Sequence, residues 1–368
     1  MHRIAQSWLV LEITGDARML GFVVAAQFAP MLFLAPWAGV LADRYDRRRL
    51  LQLTQIGMGL QALALGLLTL SGHANGALVL VFAAILGVVT ALDGPARQSI
   101  VSDLVPSDQV VNAVALNSAN FNAARLVGPA IAGLMIAAWG PGWVFLVNAA
   151  TFAVMYLALT RIHLTHREGS RRAGGLRDGL RYVRARPDLW FVIATAGAVA
   201  MLVFNFPITI ALMVSNEFAA DARSYGILAS LMAVGSLAAA LIQARRGRTD
   251  LKLVAVAAVA AGGAVILAGL MPTVPTFAAA LVACGAAALT MMTGANSYLQ
   301  THTDAEHRSR VMALYMAVFF GTTPAGAPLI GMLADDFGPR AAMVLPGAAS
   351  LVVTAGLVAA FVWARRRA

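Results

Sequence analysis

A chain of 368 residues that is 60% hydrophobic and only 12% charged, with a mean hydropathy of +0.77, carries more apolar surface than a water-soluble domain of ordinary composition can bury. What remains is a polytopic membrane protein: the apolar runs are continuous and lack the period-two alternation of a β-barrel. The formal net charge of +10 does not point to nucleic acid, because no soluble stretch is left to present a basic face.

The first apolar piece, residues 4–14, is too short to span. It reads as the second half of a first helix whose beginning is missing, since no charged leader and small-residue cleavage site frame it as a signal peptide. Full spans are predicted near residues 20–42, 50–70, 77–100, 113–138, 143–160, 189–214, 224–243, 252–271, 275–297, 311–334 and 341–364. Each is about 17 to 25 residues, enough to cross a hydrocarbon core of about 30 Å as a helix. Between the fifth and sixth of these lies an Arg-rich stretch with Gly174-Gly175 inside it. There Leu176, Leu180, Tyr182 and Val183 are spaced for one apolar face, which predicts a short amphipathic helix along the membrane surface, with a solvated tether as the alternative for its first half.

Charge placement orients the spans. One set of alternate loops holds Arg44, Arg47 to Arg49, Arg97, the run from Arg161 to Arg186, Arg245, Arg246, Arg248, Lys252, Arg308, Arg310 and Arg365 to Arg367. The opposite set holds only Arg18, Arg223 and Arg340. By the positive-inside rule the first set and the C-terminus face the cytoplasm. Scarce lysine beside abundant Arg and Ala suggests a bacterial gene, and so the bacterial inner membrane. The single cysteine, Cys284, lies inside an apolar span and reads as packing.

An internal repeat organises the chain. Gly128-Pro129-Ala130-Ile131-Ala132-Gly133 with Gly140-Pro141 is echoed by Gly326-Ala327-Pro328-Leu329-Ile330-Gly331 with Gly338-Pro339, at a constant offset (331 − 133 = 198; 338 − 140 = 198). Ala115-Leu116 with Ala313-Leu314, Phe121 with Phe319, and Arg47-Arg48 with Arg245-Arg246 keep the same offset. Two parallel repeats place a substrate path between them near the bilayer midplane. The expected organisation is an N-terminal helix bundle over 1–160, a basic cytoplasmic linker over 161–187 and a C-terminal six-helix bundle over 188–368.

The densest charge between two spans is the turn Gly39-Val40-Leu41-Ala42-Asp43-Arg44-Tyr45-Asp46-Arg47-Arg48-Arg49. It resembles the loop between the second and third helices of major facilitator superfamily transporters, whose pattern is G-x-x-x-D-[RK]-x-G-R-[RK]. Gly39, Asp43, Arg44, Arg47 and Arg48 fit, while Asp46 stands where the pattern has glycine. Gly39 lets helices approach closely and Asp43, at a helix end, offers a carboxylate to a cation or a helix N-terminus. The resemblance implies a gating latch with Arg97 as the natural partner of Asp43. Arg47 to Arg49 serve equally to hold the loop in the cytoplasm and against anionic lipid.

Charges inside the spans need a reason. Asp93 sits beside Gly94-Pro95, and Arg125 stands ahead of Gly128-Pro129. The expectation is that both face the bundle interior, paired directly or through substrate, with a fixed ion pair of no transport role as the alternative. In the functional case Asp93 exchanges a proton and Arg125 tunes it or grips an anionic group. Glu12 is a further proton candidate. Gln27, Asn117, Asn120, Asn205 and Asn296, with Asn122 and Asn148, are polar groups within spans and candidate cavity linings, helix-to-helix hydrogen bonding being the alternative.

Gly128-Pro129-x-x-x-Gly133 partly matches the fifth-helix signature G-x-x-x-G-P-x-x-G-G of proton-coupled exporters in the superfamily, with Ala124 replacing the upstream glycine. Gln6-Ser7-Trp8-Leu9-Val10-Leu11-Glu12, Ala91-Leu92-Asp93-Gly94-Pro95-Ala96-Arg97-Gln98, Ala115-Leu116-Asn117-Ser118 and Ala124-Arg125-Leu126-Val127-Gly128-Pro129 resemble the bacterial export branch that includes the enterobactin exporter. The resemblance implies an all-helical major facilitator fold: two six-helix bundles related by a pseudo-twofold, here with eleven full spans and a partial one. It also implies a monomer without cofactor that moves a small molecule, a drug or siderophore-like amphipathic or anionic compound, outward by alternating access against protons. The alternative is a non-transporting membrane protein with a sensor role or no activity. No H-E-x-x-H, G-x-S-x-G or P-loop pattern suggests an enzyme. His302, Glu306 and His307, like His163 and His166, read as solvated loop residues without a metal.

Overall fold

In a computed structural model the chain is helical, with no strand among the described residues. The structure describes the backbone of residues 1–106, 109–161, 176–246, 250–304 and 306–367, and within these the side chains of all but 35–44, 95, 98, 99, 101–103, 111, 114, 115, 118, 122, 176, 177, 244, 246, 309 and 364–367. Eleven stretches among the described residues are long and apolar enough to cross a membrane, and the chain forms two compact units.

The first unit comprises Met1–Arg171 with Asp221–Ile227. It contains α1 (His2–Thr14), α2 (Ala17–Arg44), α3 (Arg47–Leu70), α4 (Gly76–Asp103), α5 (Val110–Trp139) and α6 (Pro141–Arg161). Helix α1 touches α2, α4, α5 and α6, while α2 lies along α4 and α3 along α6. At 13 residues α1 is too short to span alone. Short polar residues start the helices. The Asp16 carboxylate accepts the backbone N–H groups of Arg18 and Met19 at the start of α2, and Asn75 accepts that of Leu78 at the start of α4. Asp46 accepts those of Arg48 and Arg49 at 2.8 and 3.2 Å. That cap explains the departure from glycine at this position: three arginines open α3 against the unfavourable positive end of the helix dipole, and a carboxylate at the cap offsets them.

The second unit comprises Arg172–Ala220 with Leu228–Ala368. Its helices are α7 (Leu176–Arg184), α8 (Pro187–Leu202), α9 (Phe206–Leu212), α10 (Ala222–Arg246, whose first turns belong to the first unit), α11 (Leu251–Gly269), α12 (Val274–His302), α13 (Arg308–Gly321), α14 (Thr323–Phe337) and α15 (Ala341–Arg367). Helix α8 touches α11, α12, α13, α14 and α15. The span it opens is 72% buried, against 18 to 44% for the others, so it forms the centre of this unit.

Two predicted continuous spans are interrupted. The stretch expected over 189–214 breaks after Leu202, resumes at Phe206 and ends in a π-helical turn, Met213–Glu217. Pro207 lacks an N–H and biases its predecessor away from the helical region, so the chain restarts there. Asn205 repairs the break by donating its side-chain amide to Met201 O at 2.7 Å. The span expected over 311–334 divides at Thr322, between α13 and α14.

The repeat is visible in each unit taken separately. Helices α4 and α12 begin 198 residues apart (274 − 76 = 198), as do α5 and α13 (308 − 110 = 198). Helix α5 ends at Gly140 with φ 84° and ψ 166°, and α14 at Gly338 with φ 86° and ψ 164°. Each glycine N–H returns to the carbonyl four residues back, a positive-φ stop that a side chain would oppose.

Outward faces are apolar. Leu53, Val154 and Val352 are 66, 66 and 73% exposed, a distribution suited to acyl chains rather than water. Inside the first unit, Gly133 on α5 faces Gly226 at the start of α10: a Cβ at 133 would lie 2.7 Å from Ala222 O and 2.8 Å from Gly226 Cα. Both neighbours are backbone and cannot swing away. Gly133→Val is therefore expected to destabilise the purified protein by about 1–3 kcal/mol, the usual range of overpacking, measured as a lowered midpoint in detergent unfolding. An unchanged midpoint would refute this packing role.

Candidate functional site

The polar residues inside the first unit fall into two groups. In one, α1 and its neighbours are fastened together: Gln27 on α2 donates to Gln6 Oε1 at 2.9 Å, and Gln6 donates onward to Val79 O on α4 at 3.1 Å. Both glutamines are buried, and Gln27 joins helices through this bond. His2 is buried likewise, its ring between the amides of Gln61 on α3 and Asn148 on α6 at 3.4 and 3.2 Å, with the Phe145 ring set edge-on to it. Nothing in the local pattern around His2 marked it, because its partners lie 59 and 146 residues away.

The other group surrounds Asp93. Its side chain is 8% exposed and pairs with Arg97 one helical turn later, Arg97 Nε donating to Oδ2 at 2.6 Å. Oδ1 accepts from Thr54 Oγ1 at 2.7 Å, from Gln55 Nε2 at 3.0 Å and from Arg97 Nη2 at 3.3 Å. A carboxylate taken out of water is thus compensated by one guanidinium and two neutral donors from the facing helix α3. Arg97 remains 45% exposed, so the carboxylate end of the pair is buried and the guanidinium end is not. Thr54 and Gln55 were missed from sequence; their adjacency on α3 carried no signal until α4 was laid against them.

One expected pairing takes a different form. Arg97 is held by Asp93 on its own helix, where the i, i+4 spacing sets the two side chains together; its expected contact with Asp43 falls on a side chain outside the described residues. Asp93 does not pair directly with Arg125: among the described residues no ion pair reaches Arg125, which is exposed on α5, four residues before Pro129. Because Pro129 has no N–H, the helix gives the Arg125 carbonyl no partner at that position. A Cβ on Gly128 would meet only Met1 N, at an ordinary 3.9 Å, unlike one on Gly133. The side chains of Asp43 and Arg44, and the surroundings of Gly39, lie outside the described residues, although all three close α2. Arg47 opens α3, and Arg48 reaches across to α6, donating to Thr160 O at 2.5 Å. Glu12 is exposed on α1, as are Asn117 and Asn120 on α5.

In the second unit Asn205 is buried at the α8–α9 break, its amide committed to Met201 O. Gly326 leaves room for that repair, since a Cβ there would overlap the same carbonyl and lie 3.1 Å from Asn205 Nδ2. Asn296 on α12 lines a cavity. Helix α7, expected along the membrane surface, packs against α13: Val183 is buried, and Tyr182 stacks on His307 at 4.3 Å while donating to Asp304 Oδ2 at 2.8 Å. Just beyond it, hydrogen bonding to Asp188 holds the Arg186 guanidinium above its ordinary pKa.

Comparison with known proteins decides what this arrangement belongs to. A family model described as transmembrane secretion effector matches residues 1–366. The chain is a member of the transmembrane secretion effector family. Members of this family are transporters rather than enzymes, and this secretion effector is accordingly a multi-pass membrane transporter with a small-molecule substrate. It is 24% identical to the staphyloferrin A transporter of Staphylococcus aureus over 96% of this chain and 90% of that one. It is 27% identical to the multidrug efflux pump Tap of Mycobacterium tuberculosis over 97% of this chain and 88% of the pump. Among solved structures it resembles a bacterial homologue of the human lysosomal transporter Spinster, in an inward-facing and unoccupied conformation, with a TM-score of 0.78 at 18% identity over 99% of this chain and 94% of that one. The secretion effector therefore has the major facilitator fold.

Proposed function

We propose that this transporter is a proton-coupled exporter of small amphipathic or anionic compounds, working as a monomer by alternating access in the bacterial inner membrane with its C-terminus in the cytoplasm. The observation that supports the reading is the Asp93–Arg97 pair inside a span: a buried carboxylate held by four hydrogen bonds, its guanidinium partner 45% exposed. Proton arrival at Asp93 removes the charge that holds Arg97. The difference in side-chain position between the two protonation states is what a transporter needs to couple a gradient to movement. Arg125 supplies a cation for an anionic substrate group, Glu12 a second carboxylate, and the turn of Gly39, Asp43, Arg44, Arg47 and Arg48 a latch. Names among the relatives support outward movement and these substrate types, one being a siderophore transporter and another a multidrug efflux pump. The arginine-rich loops support the orientation.

The deciding measurement is uptake into everted vesicles carrying the chain, with an imposed pH gradient, acid inside, and a panel of one carboxylate siderophore and several amphipathic drugs. Accumulation that collapses with a protonophore is expected. Accumulation of panel compounds that persists without the gradient, or none for any compound, would remove the proposal.

A further inference from the structure

The second unit contains a cavity of about 340 Å³ between α12 and α13, within the size range of small-molecule sites. Its α12 side is a polar stripe inside an apolar span: Thr293, Asn296, Ser297, Gln300 and Thr301 recur at spacings of three and one, on one helix face. Helix hydroxyls in such a span return to their own backbone or to a neighbouring helix: Thr301 donates to Ser297 O, and Thr293 lies 2.7 Å from both Leu289 O and Gln243 Oε1 on α10. The two amides behave differently. Gln300 Nε2 donates to Asn296 Oδ1 at 2.6 Å, which leaves Asn296 Nδ2 and Gln300 Oε1 without a partner among the described residues. Turning both amides over exchanges which residue donates, but still leaves one donor and one acceptor side by side.

The facing wall is apolar and well supported. Tyr315, Met316, Phe319 and Phe320 line it. Phe319 meets Phe320 at 5.4 Å and Phe204 at 5.5 Å, which fixes the rings, and Tyr315 spends its hydroxyl on Met292 O. None of the lining residues is charged. A carboxylate brought here would find no cation, and a cation would find rings but no counter-charge. We infer that this cavity is a binding subsite for an uncharged, flat amphiphile that presents an adjacent donor and acceptor, such as a carboxamide or lactam edge, to Asn296 and Gln300 and an aromatic face to Phe319. The inference rests on the transport reading above and specifies the uncharged, amphipathic part of its substrate class, beside the anionic part assigned to Arg125.

The test is equilibrium dialysis with the full chain in lipid nanodiscs and carbamazepine, an uncharged tricyclic carboxamide, as the probe. Saturable binding is expected. Asn296→Leu and Gln300→Leu should each weaken it about tenfold, the scale of one lost hydrogen bond. Iminostilbene, which has the same rings without the carboxamide, should bind the unaltered chain more weakly by a similar factor, and neither salicylate nor tetraphenylphosphonium should displace the probe. Absence of saturable binding, equal binding by both variants at unchanged helical content, or displacement by either ion overturns the subsite. Efflux in vesicles is read separately: a chain that exports a siderophore but ignores carbamazepine loses the subsite and keeps the exporter. One that binds carbamazepine at Asn296 and Gln300 yet drives nothing across the membrane loses the exporter alone.

Discussion

Asp93→Asn is expected to abolish gradient-driven efflux, by about a hundredfold or more, while the protein still inserts and folds. The substitution removes the only charge in the group that a proton can cancel. It also places an amide N–H₂ or a neutral oxygen opposite Arg97 Nε, which now donates to Oδ2 at 2.6 Å, so the guanidinium is no longer held. Stability should change little. Arg97 is already 45% exposed, so its guanidinium is not left buried, which puts the loss at about 1 kcal/mol, the scale of one hydrogen bond, and the amide oxygen can still accept from Thr54 and Gln55. A purely structural role predicts equal damage to every transport mode. A proton-carrying role predicts that Asp93→Asn keeps substrate exchange at equal pH on both sides, which needs no net proton movement, and loses only the pH-driven component. Gradient-driven efflux at the unaltered rate in Asp93→Asn vesicles would end the proton assignment.

Arg125→Ala should abolish transport of anionic substrates with membrane insertion intact. The residue is a cation within a span, exposed, and set four residues before Pro129 on α5. Keeping an arginine there is costly in hydrocarbon unless water or a ligand reaches it, and among the described residues no carboxylate compensates it. Arg125→Lys keeps the charge but gives up the planar fork that grips a carboxylate in two places, so it should retain partial transport with weaker apparent affinity. Vesicle uptake across a concentration series separates these outcomes. Normal uptake by Arg125→Ala would show that this arginine takes no part.

Much of the architecture was open to inspection in the residues. Eleven spans, the offset of 198 and the glycine that stops a helix in each half are properties of short windows, and windows are what hydropathy and turn chemistry report. The two interruptions were harder. Pro207 and Thr322 interrupt stretches whose window-averaged hydropathy stays at 2.1 and 1.4, so an average over a span cannot register them. The neutral cavity was half legible: Asn296 stood out as polar within a span, but the ring wall on α13 that gives it a purpose did not.

Partner choice was decided elsewhere. By itself the sequence determined that the chain is a bundle of membrane helices built as two repeats, which residues are costly enough to need compensation, and the oxygen caps that start helices. Only the tertiary structure decided that Asp93 takes Arg97, Thr54 and Gln55 rather than Arg125, that Gln27 is spent on Gln6, and that Asn296 faces a cavity. The physical reason is that a membrane helix is apolar all round: lipid and protein interior look alike to its residues, so the direction each face points is set by packing against neighbours far along the chain.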